Sequence, residues 1–148
     1  MDNATPRPSP WPRAGFRHLL PLATRWRDND AYGHVNNVVY YEWFDTVVNE
    51  YLVRAGVLDI AGSPVIGLAV HTQCDFFTDL AFPQPIEAAL RVAHIGRSSV
   101  RYEIAIFAVG AASASAQGQF VHVYVDRVSR RPAQLPEALR VALERIAA

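Results

Sequence analysis

Lysine does not occur in this chain, and all fourteen basic residues are arginine. Any phosphate or carboxylate bound here must therefore be met by guanidinium, imidazole or backbone N–H. Cysteine is almost as scarce. Cys74 stands alone, so no internal disulfide can form and a reducing compartment, by default the cytoplasm, is expected. Neither sign of charge predominates, with 14 basic and 14 acidic residues. Nucleic-acid binders usually carry a basic excess, so that class is set aside. No apolar run is long enough to span a bilayer, and the chain does not open on a basic stretch followed by an apolar one. Neither a membrane span nor a secretory leader is expected.

What is present suits one packed domain. The chain has 148 residues, of which 51% are apolar and 19% charged, a balance that supports a core and argues against disorder. Pro6, Pro8, Pro10 and Pro12 alternate near the start. They fix φ and remove donors, so residues 1–15 read as an extended, disordered tail before a single domain over 16–148. Phe16 to Arg27 reads as a strand in which Pro21 hints at an edge or bulge. From Val38 to Ala55 the period turns helical, with Tyr40, Phe44, Val47, Val48, Tyr51, Leu52 and Ala55 on one stripe and Gly56 as a C-terminal stop.

Alternation then predicts strands over Val65 to Phe76, Ile86 to Ile95 and Ser99 to Val109. In the first of these, Ile66, Leu68, Val70, Cys74 and Phe76 are expected on one face. Gln117 to Val128 is apolar on both faces, as a central strand would be. Pro136 to Ala147 reads as a final helix with a proline in its first turn. Four consecutive strands with short turns argue for an antiparallel sheet, and the long helix must bury its stripe against it. The fold class is α+β, a sheet wrapped around one long central helix.

The segment Arg25-Trp26-Arg27-Asp28-Asn29-Asp30-Ala31-Tyr32-Gly33-His34-Val35-Asn36-Asn37 resembles the active-site segment of the 4-hydroxybenzoyl-CoA thioesterase-like family. Its pattern is an aspartate, two residues, a glycine and a helix start. Cys74-Asp75-Phe76 and Gly96-Arg97-Ser98-Ser99-Val100-Arg101-Tyr102 fit as well, so the likeness runs from about Leu20 to Arg127. It implies a hotdog fold, hydrolysis of an acyl-CoA thioester without metal or cofactor, and active sites shared across the interface of a dimer, with tetramers built from two dimers. The chain departs from the benzoyl-type members at Ala31, where they carry proline, so the aromatic substrate does not carry over. The acyl group, and coenzyme A against an acyl carrier protein, stay open.

A thioester carbonyl needs an activated water or nucleophile and positive dipoles for the developing oxyanion. Asp30 lies just ahead of a helix start, where backbone N–H groups lack partners. The resemblance makes Asp30 the catalytic carboxylate and the Asn37 backbone N–H the carbonyl polariser. His34 is a further candidate for proton transfer. Asp28 suits turn or capping chemistry, Asn36 an N-cap, and Gly33 a positive φ or a close approach to substrate.

Arg97 with Ser98 and Ser99, and Arg130 with Arg131, are candidate holders of coenzyme A phosphates. His71 and Cys74 sit three apart on a predicted strand and so face opposite ways, which leaves Cys74 to the core. The five histidines show no metal-ligand spacing, and Ser98 and Ser99 lack a nucleophile elbow. A hotdog hydratase or dehydratase working through an Asp–His pair, and a non-catalytic acyl-thioester binder, are the competing readings.

Overall fold

The computed structural model describes residues 5–148. Five strands form one antiparallel sheet: β1 (His18–Leu22), β2 (Val65–Phe76), β3 (Ile86–Ile95), β4 (Ser99–Ala108) and β5 (Ala116–Asp126). Their spatial order is β1-β3-β4-β5-β2. Helix α1 (Asn37–Arg54) lies between β1 and β2 in sequence, and α2 (Glu137–Glu144) follows β5. This is the expected α+β hotdog arrangement.

Helix α1 buries Val39, Tyr40, Trp43, Phe44, Val47, Val48 and Leu52. They meet Ile86, Leu90, Tyr102, Ile104, Ile106 and Phe120 from the sheet in one continuous core. The apolar stripe is therefore wider than the one read from the sequence. Val39 and Trp43 join it, and Tyr51 sits at its half-buried margin.

The first strand is shorter than predicted. It ends at Leu22, and Trp26–Asp28 forms a 3-10 turn. Pro21 pairs with Glu87 on the edge strand β1, where a missing donor costs no ladder bond to a second neighbour.

In β2 the expected single face is broken. The register shifts between Ala69 and His71, so Val70 is an extra residue in the ladder. Gly67 and Ala69 oppose Tyr124 and His122, and Cys74 and Phe76 oppose Gly118 and Ala116. Those residues share one face, while Ile66 and Leu68 take the other, because a bulge inverts the alternation downstream of it. Cys74 does pack against the core and His71 is exposed.

The proline-rich start, read from the sequence as a disordered tail over 1–15, makes contacts with the sheet in its described part. Residues 1–4 lie outside the described residues, but from Ser9 onward the chain is held on the outer face of the sheet. The Gln117 side chain, almost fully buried, accepts from the Trp11 N–H at 2.6 Å and donates to the Ser9 carbonyl at 3.0 Å. Trp11 and Phe16 pack with Ala89, Ala105, Phe107 and Ala114 in a second small core. The Arg91 guanidinium lies 4.7 Å and 4.4 Å from the two ring centroids. Alternate prolines remove backbone donors, and one buried amide supplies the partners that the remaining groups need.

Candidate functional site

The segment before α1 is fixed by Asp28. Its carboxylate is buried. It accepts from the Arg25 N–H at 2.7 Å and from the Arg25 guanidinium at 3.0 Å and 2.9 Å. These bonds raise the Arg25 pKa, with the Asp28 hydrogen bond as the largest cause. The Asn36 N–H then donates to the Asp28 carbonyl at 2.8 Å, tying the turn to the helix start. Asp28 is thus turn architecture.

Asp30 sits inside the turn so fastened. Its Oδ1 accepts from the Tyr32 N–H at 2.8 Å, and its Oδ2 lies 3.3 Å from His34 Nδ1. The backbone closes on itself, with the Asp30 N–H donating to the His34 carbonyl and the Gly33 N–H to the Asp30 carbonyl. Gly33 has φ +86°, a conformation that strains any residue with a Cβ. Asn36 caps α1, its side chain accepting from the Val38 N–H at 3.2 Å. Among the described residues no hydrogen bond uses the Asn37 N–H, as the position at the head of a helix allows.

Asp30 and Asn37 line one small cavity of about 190 Å³ with His34, Tyr40, Phe76 and Asp79. Burial, with smaller contributions from Cys74 and Asp79, pushes the Tyr40 hydroxyl up to about 12, so it stays protonated as a donor. On its other side Asp30 borders a second hollow of about 440 Å³ with Trp26, Arg27, Ala31 and Gly33. Asp30 thus borders both hollows.

The expected phosphate holders lie elsewhere. Ser98 and Arg97 accept, through their carbonyls, from the N–H groups of Tyr124 and Leu135, and the Arg131 carbonyl accepts from the Asp126 N–H. Arg97, Arg130 and Arg131 are exposed, and Ser98 and Ser99 half-buried. That end of the sheet is marked by the pair Val65–Asp126, whereas the Asp30 end is marked by Phe76–Ala116. The two ends are separated by about ten residues of strand, or roughly 30 Å. Within one protomer these arginines and Asp30 are not brought together.

Five contributors to the small cavity, Val35, Tyr40, Phe76, Thr78 and Asp79, had no signal as site residues in the sequence. Tyr40 and Phe76 read as ordinary core positions. Asp79 follows a strand end and is placed only by the fold. Among the described residues no group of three His, Cys, Asp or Glu side chains converges as a metal site would require, and no helix is long and apolar enough to cross a membrane.

Residues 24–143 match the sequence pattern of the Thioesterase-like superfamily. A crystal structure of a protein from Pseudomonas aeruginosa strain PAO1 is 54% identical, with a TM-score of 0.92 over 95% of this chain and 98% of that one. A thioesterase from Thermus thermophilus, solved in complex with coenzyme A and zinc, is 30% identical, with a TM-score of 0.74 over 89% of this chain and 95% of that one. A 1,4-dihydroxy-2-naphthoyl-CoA thioesterase from Synechocystis shares the fold at 18% identity, with a TM-score of 0.76 over 84% of this chain and 93% of that one. The comparison with curated protein sequences found no match.

Proposed function

The chain belongs to the thioesterase-like superfamily and is a thioester hydrolase, and we propose that it hydrolyses an acyl-CoA with Asp30 as its catalytic carboxylate. The observation that carries this reading is the shared cavity. Asp30 and Asn37 line the same small space, and the Asn37 N–H is unused within the fold, so a carbonyl bound there would have a base or nucleophile and a helix-end dipole close at hand. As general base, Asp30 takes a proton from water while the resulting hydroxide adds to the carbonyl carbon. The oxyanion forms against the Asn37 N–H, whose orientation is set before reaction by the Asn36 cap. Collapse then expels the coenzyme A thiolate and leaves the free acid. As nucleophile, Asp30 adds to the carbonyl carbon, the C–S bond breaks to release the coenzyme A thiolate, and water then opens the mixed anhydride to free acid and Asp30.

The hydratase reading draws on the Asp30–His34 contact at 3.3 Å, since an Asp–His pair suits water addition to a double bond. One assay separates the two. Thiol release is followed across a panel of aliphatic and aromatic acyl-CoA thioesters, and enoyl absorbance across an unsaturated set. Thiol release from at least one thioester, with no change in enoyl absorbance, is expected. Loss of enoyl absorbance without thiol would refute the thioesterase reading. Hydrolysis at the buffer rate across the panel would instead favour a binding protein.

The protein acts as a homodimer or as a tetramer of two dimers in this reading. Among the described residues strand β2 pairs only with β5. Its middle, from Leu68 to Thr72, is exposed on both faces and includes Leu68 and Val70. An open apolar edge of this kind calls for a second strand. Light scattering that finds only a 16.4 kDa species at micromolar concentration would refute the pairing.

A further inference from the structure

The N–H groups at the start of α1 are nearly all in use. The Asn36 N–H donates to the Asp28 carbonyl at 2.8 Å, and the Val39 N–H to the Asn36 carbonyl at 3.0 Å. The Val38 N–H donates to the Asn36 side chain at 3.2 Å. From Asn36 to Val39, Asn37 alone keeps its N–H free among the described residues. A carbonyl oxygen that becomes an oxyanion gains lone-pair density that one N–H cannot meet, and acyl-transfer sites commonly aim more than one donor at it. Asp79 lines the same cavity, and its negative charge works against an oxyanion there. The backbone supplies one donor, and the site calls for a second.

Two further side chains in the cavity wall can donate besides Tyr40, and both are poorly placed for this task. His34 Nδ1 already lies 3.3 Å from the Asp30 carboxylate. Thr78 is exposed, so its hydroxyl is hydrated and free to rotate. Tyr40 differs from both. It is only 3% exposed and is wedged between the rings of Trp43 and Phe76, at 5.2 and 5.0 Å between centroids. It stands one turn after Asn37 on the same helix face, and helical side chains lean back toward the N-terminus.

The Tyr40 hydroxyl has no hydrogen-bond partner among the described residues, although it lies close enough to Asp79 to feel that charge. It is not sealed in either. Among the described residues the one fully enclosed side-chain atom without a partner belongs to His122. The hydroxyl of this buried residue therefore keeps open space beside it, and the cavity that Tyr40 lines is the one at Asp30. Packing gives no reason for the oxygen. Phenylalanine would make the same ring contacts without leaving a polar group unpaired, which is costly.

We propose that the Tyr40 hydroxyl is the second donor to the thioester oxygen, so that it and the Asn37 N–H together hold the oxyanion. The assignment rests on the thioesterase reading and adds a catalytic side chain to it. As the new C–O bond forms at the carbonyl carbon, the π pair moves onto oxygen and both donor bonds shorten. The pair returns when the C–S bond breaks and the thiolate leaves. No proton changes hands at Tyr40. Burial, followed by Cys74 and Asp79, pushes its hydroxyl up to about 12, so it stays a donor throughout the cycle.

Two measurements test this. The first compares Tyr40→Phe with wild type on the thioester of the panel that wild type cleaves fastest. A fall in kcat of about 10² to 10³ is expected, as for the loss of one oxyanion donor. KM should stay within about threefold, and Tm should not fall, since the lost hydroxyl has no partner in the fold. A kcat above about a third of wild type overturns the assignment, and so does a raised KM at unchanged kcat, which would make the hydroxyl a ground-state contact.

The second measurement reads the carbonyl directly. The same thioester, labelled with ¹³C at the carbonyl carbon, is bound to protein carrying Asp30→Asn so that turnover does not consume it. Its resonance should move downfield from the free position as the donors polarise the C=O bond, and adding Tyr40→Phe should remove about half of that displacement. A resonance that does not move, or that moves equally with and without the hydroxyl, overturns the assignment. If wild type cleaves no thioester, labelled acetyl-CoA is the probe. A displacement that depends on Tyr40 then keeps the donor assignment while the hydrolase reading fails.

Discussion

Replacing Asp30 and Asp28 separately by asparagine removes the same charge two residues apart, and the roles proposed for them assign the two losses to different quantities. At position 30 the turn survives. The amide oxygen still accepts from the Tyr32 N–H, held at 2.8 Å, and the new amide group faces His34 Nδ1, which can accept in one neutral tautomer. What disappears is basicity and nucleophilicity. The expected cost is a factor on the order of 10² to 10⁴ in kcat, or about 3 to 5 kcal/mol of barrier. KM should change little and Tm by no more than about 2 °C.

At position 28 the carboxylate meets donors on both oxygens, from the Arg25 N–H and the Arg25 guanidinium. Asparagine turns one of those acceptors into a donor facing a donor. For a carboxylate this buried the expected cost is about 2 kcal/mol of stability, or a fall of roughly 4 to 8 °C in Tm for a chain of this length. Its kcat, measured well below the melting range, should stay within about threefold of wild type. Thiol-release kinetics and thermal melts on both variants are sufficient. If Asp30→Asn keeps more than about a tenth of wild-type kcat, or Asp28→Asn loses kcat as severely without losing Tm, the division of labour between them is wrong.

Three further outcomes follow from the geometry. His122 titrates near 4 when folded and near 6.5 when unfolded, so between those values only the unfolded chain takes up the proton; stability should therefore fall as pH drops from about 7 to about 4, by up to about 3 kcal/mol, and urea titrations of His122→Phe should lack this part of the slope. Burial, followed by the neighbouring Asp75, pushes the Cys74 thiol up to about 12, so alkylation of native protein at pH 8 should run at least about tenfold slower than in urea, and equal rates would contradict the packing. Arg97→Ala or a paired Arg130→Ala, Arg131→Ala change should raise KM for a coenzyme A thioester with kcat unchanged if these arginines hold its phosphates, whereas an unaltered KM marks them as ordinary surface residues or the donor as a carrier protein.

Periodicity exposed what depends on one element at a time. Helix α1 was legible because its stripe recurs at the helical spacing, and the Asp30 turn because aspartate, glycine and asparagine stand where a turn and a cap need them. Elements that depend on a distant partner were not. Nothing local announces that the Gln117 amide will hold the chain at Ser9 and Trp11, so alternate prolines read as a free tail. The bulge at Val70 is also invisible to an alternation count, since each half of β2 alternates correctly by itself. One extra residue moved Cys74 and Phe76 to the face opposite Ile66 and Leu68, and that inversion puts Phe76 in the wall of the Asp30 cavity.

The same limit explains why the chemistry-bearing residues of the sequence fall at two ends of one sheet. Asp30, Gly33, His34 and Asn37 gather before α1 and at its first turn. His122, Arg97, Ser98, Ser99, Arg130 and Arg131 gather at the other end. A monomer gives no reason for this, because no ligand of modest size bridges roughly 30 Å of strand. An antiparallel pairing of β2 with its own copy supplies one, because each end then borders the opposite end of a neighbour. The free edge and the bulge both lie on β2, so a second copy seated on that edge would meet the strand whose Phe76 lines the Asp30 cavity.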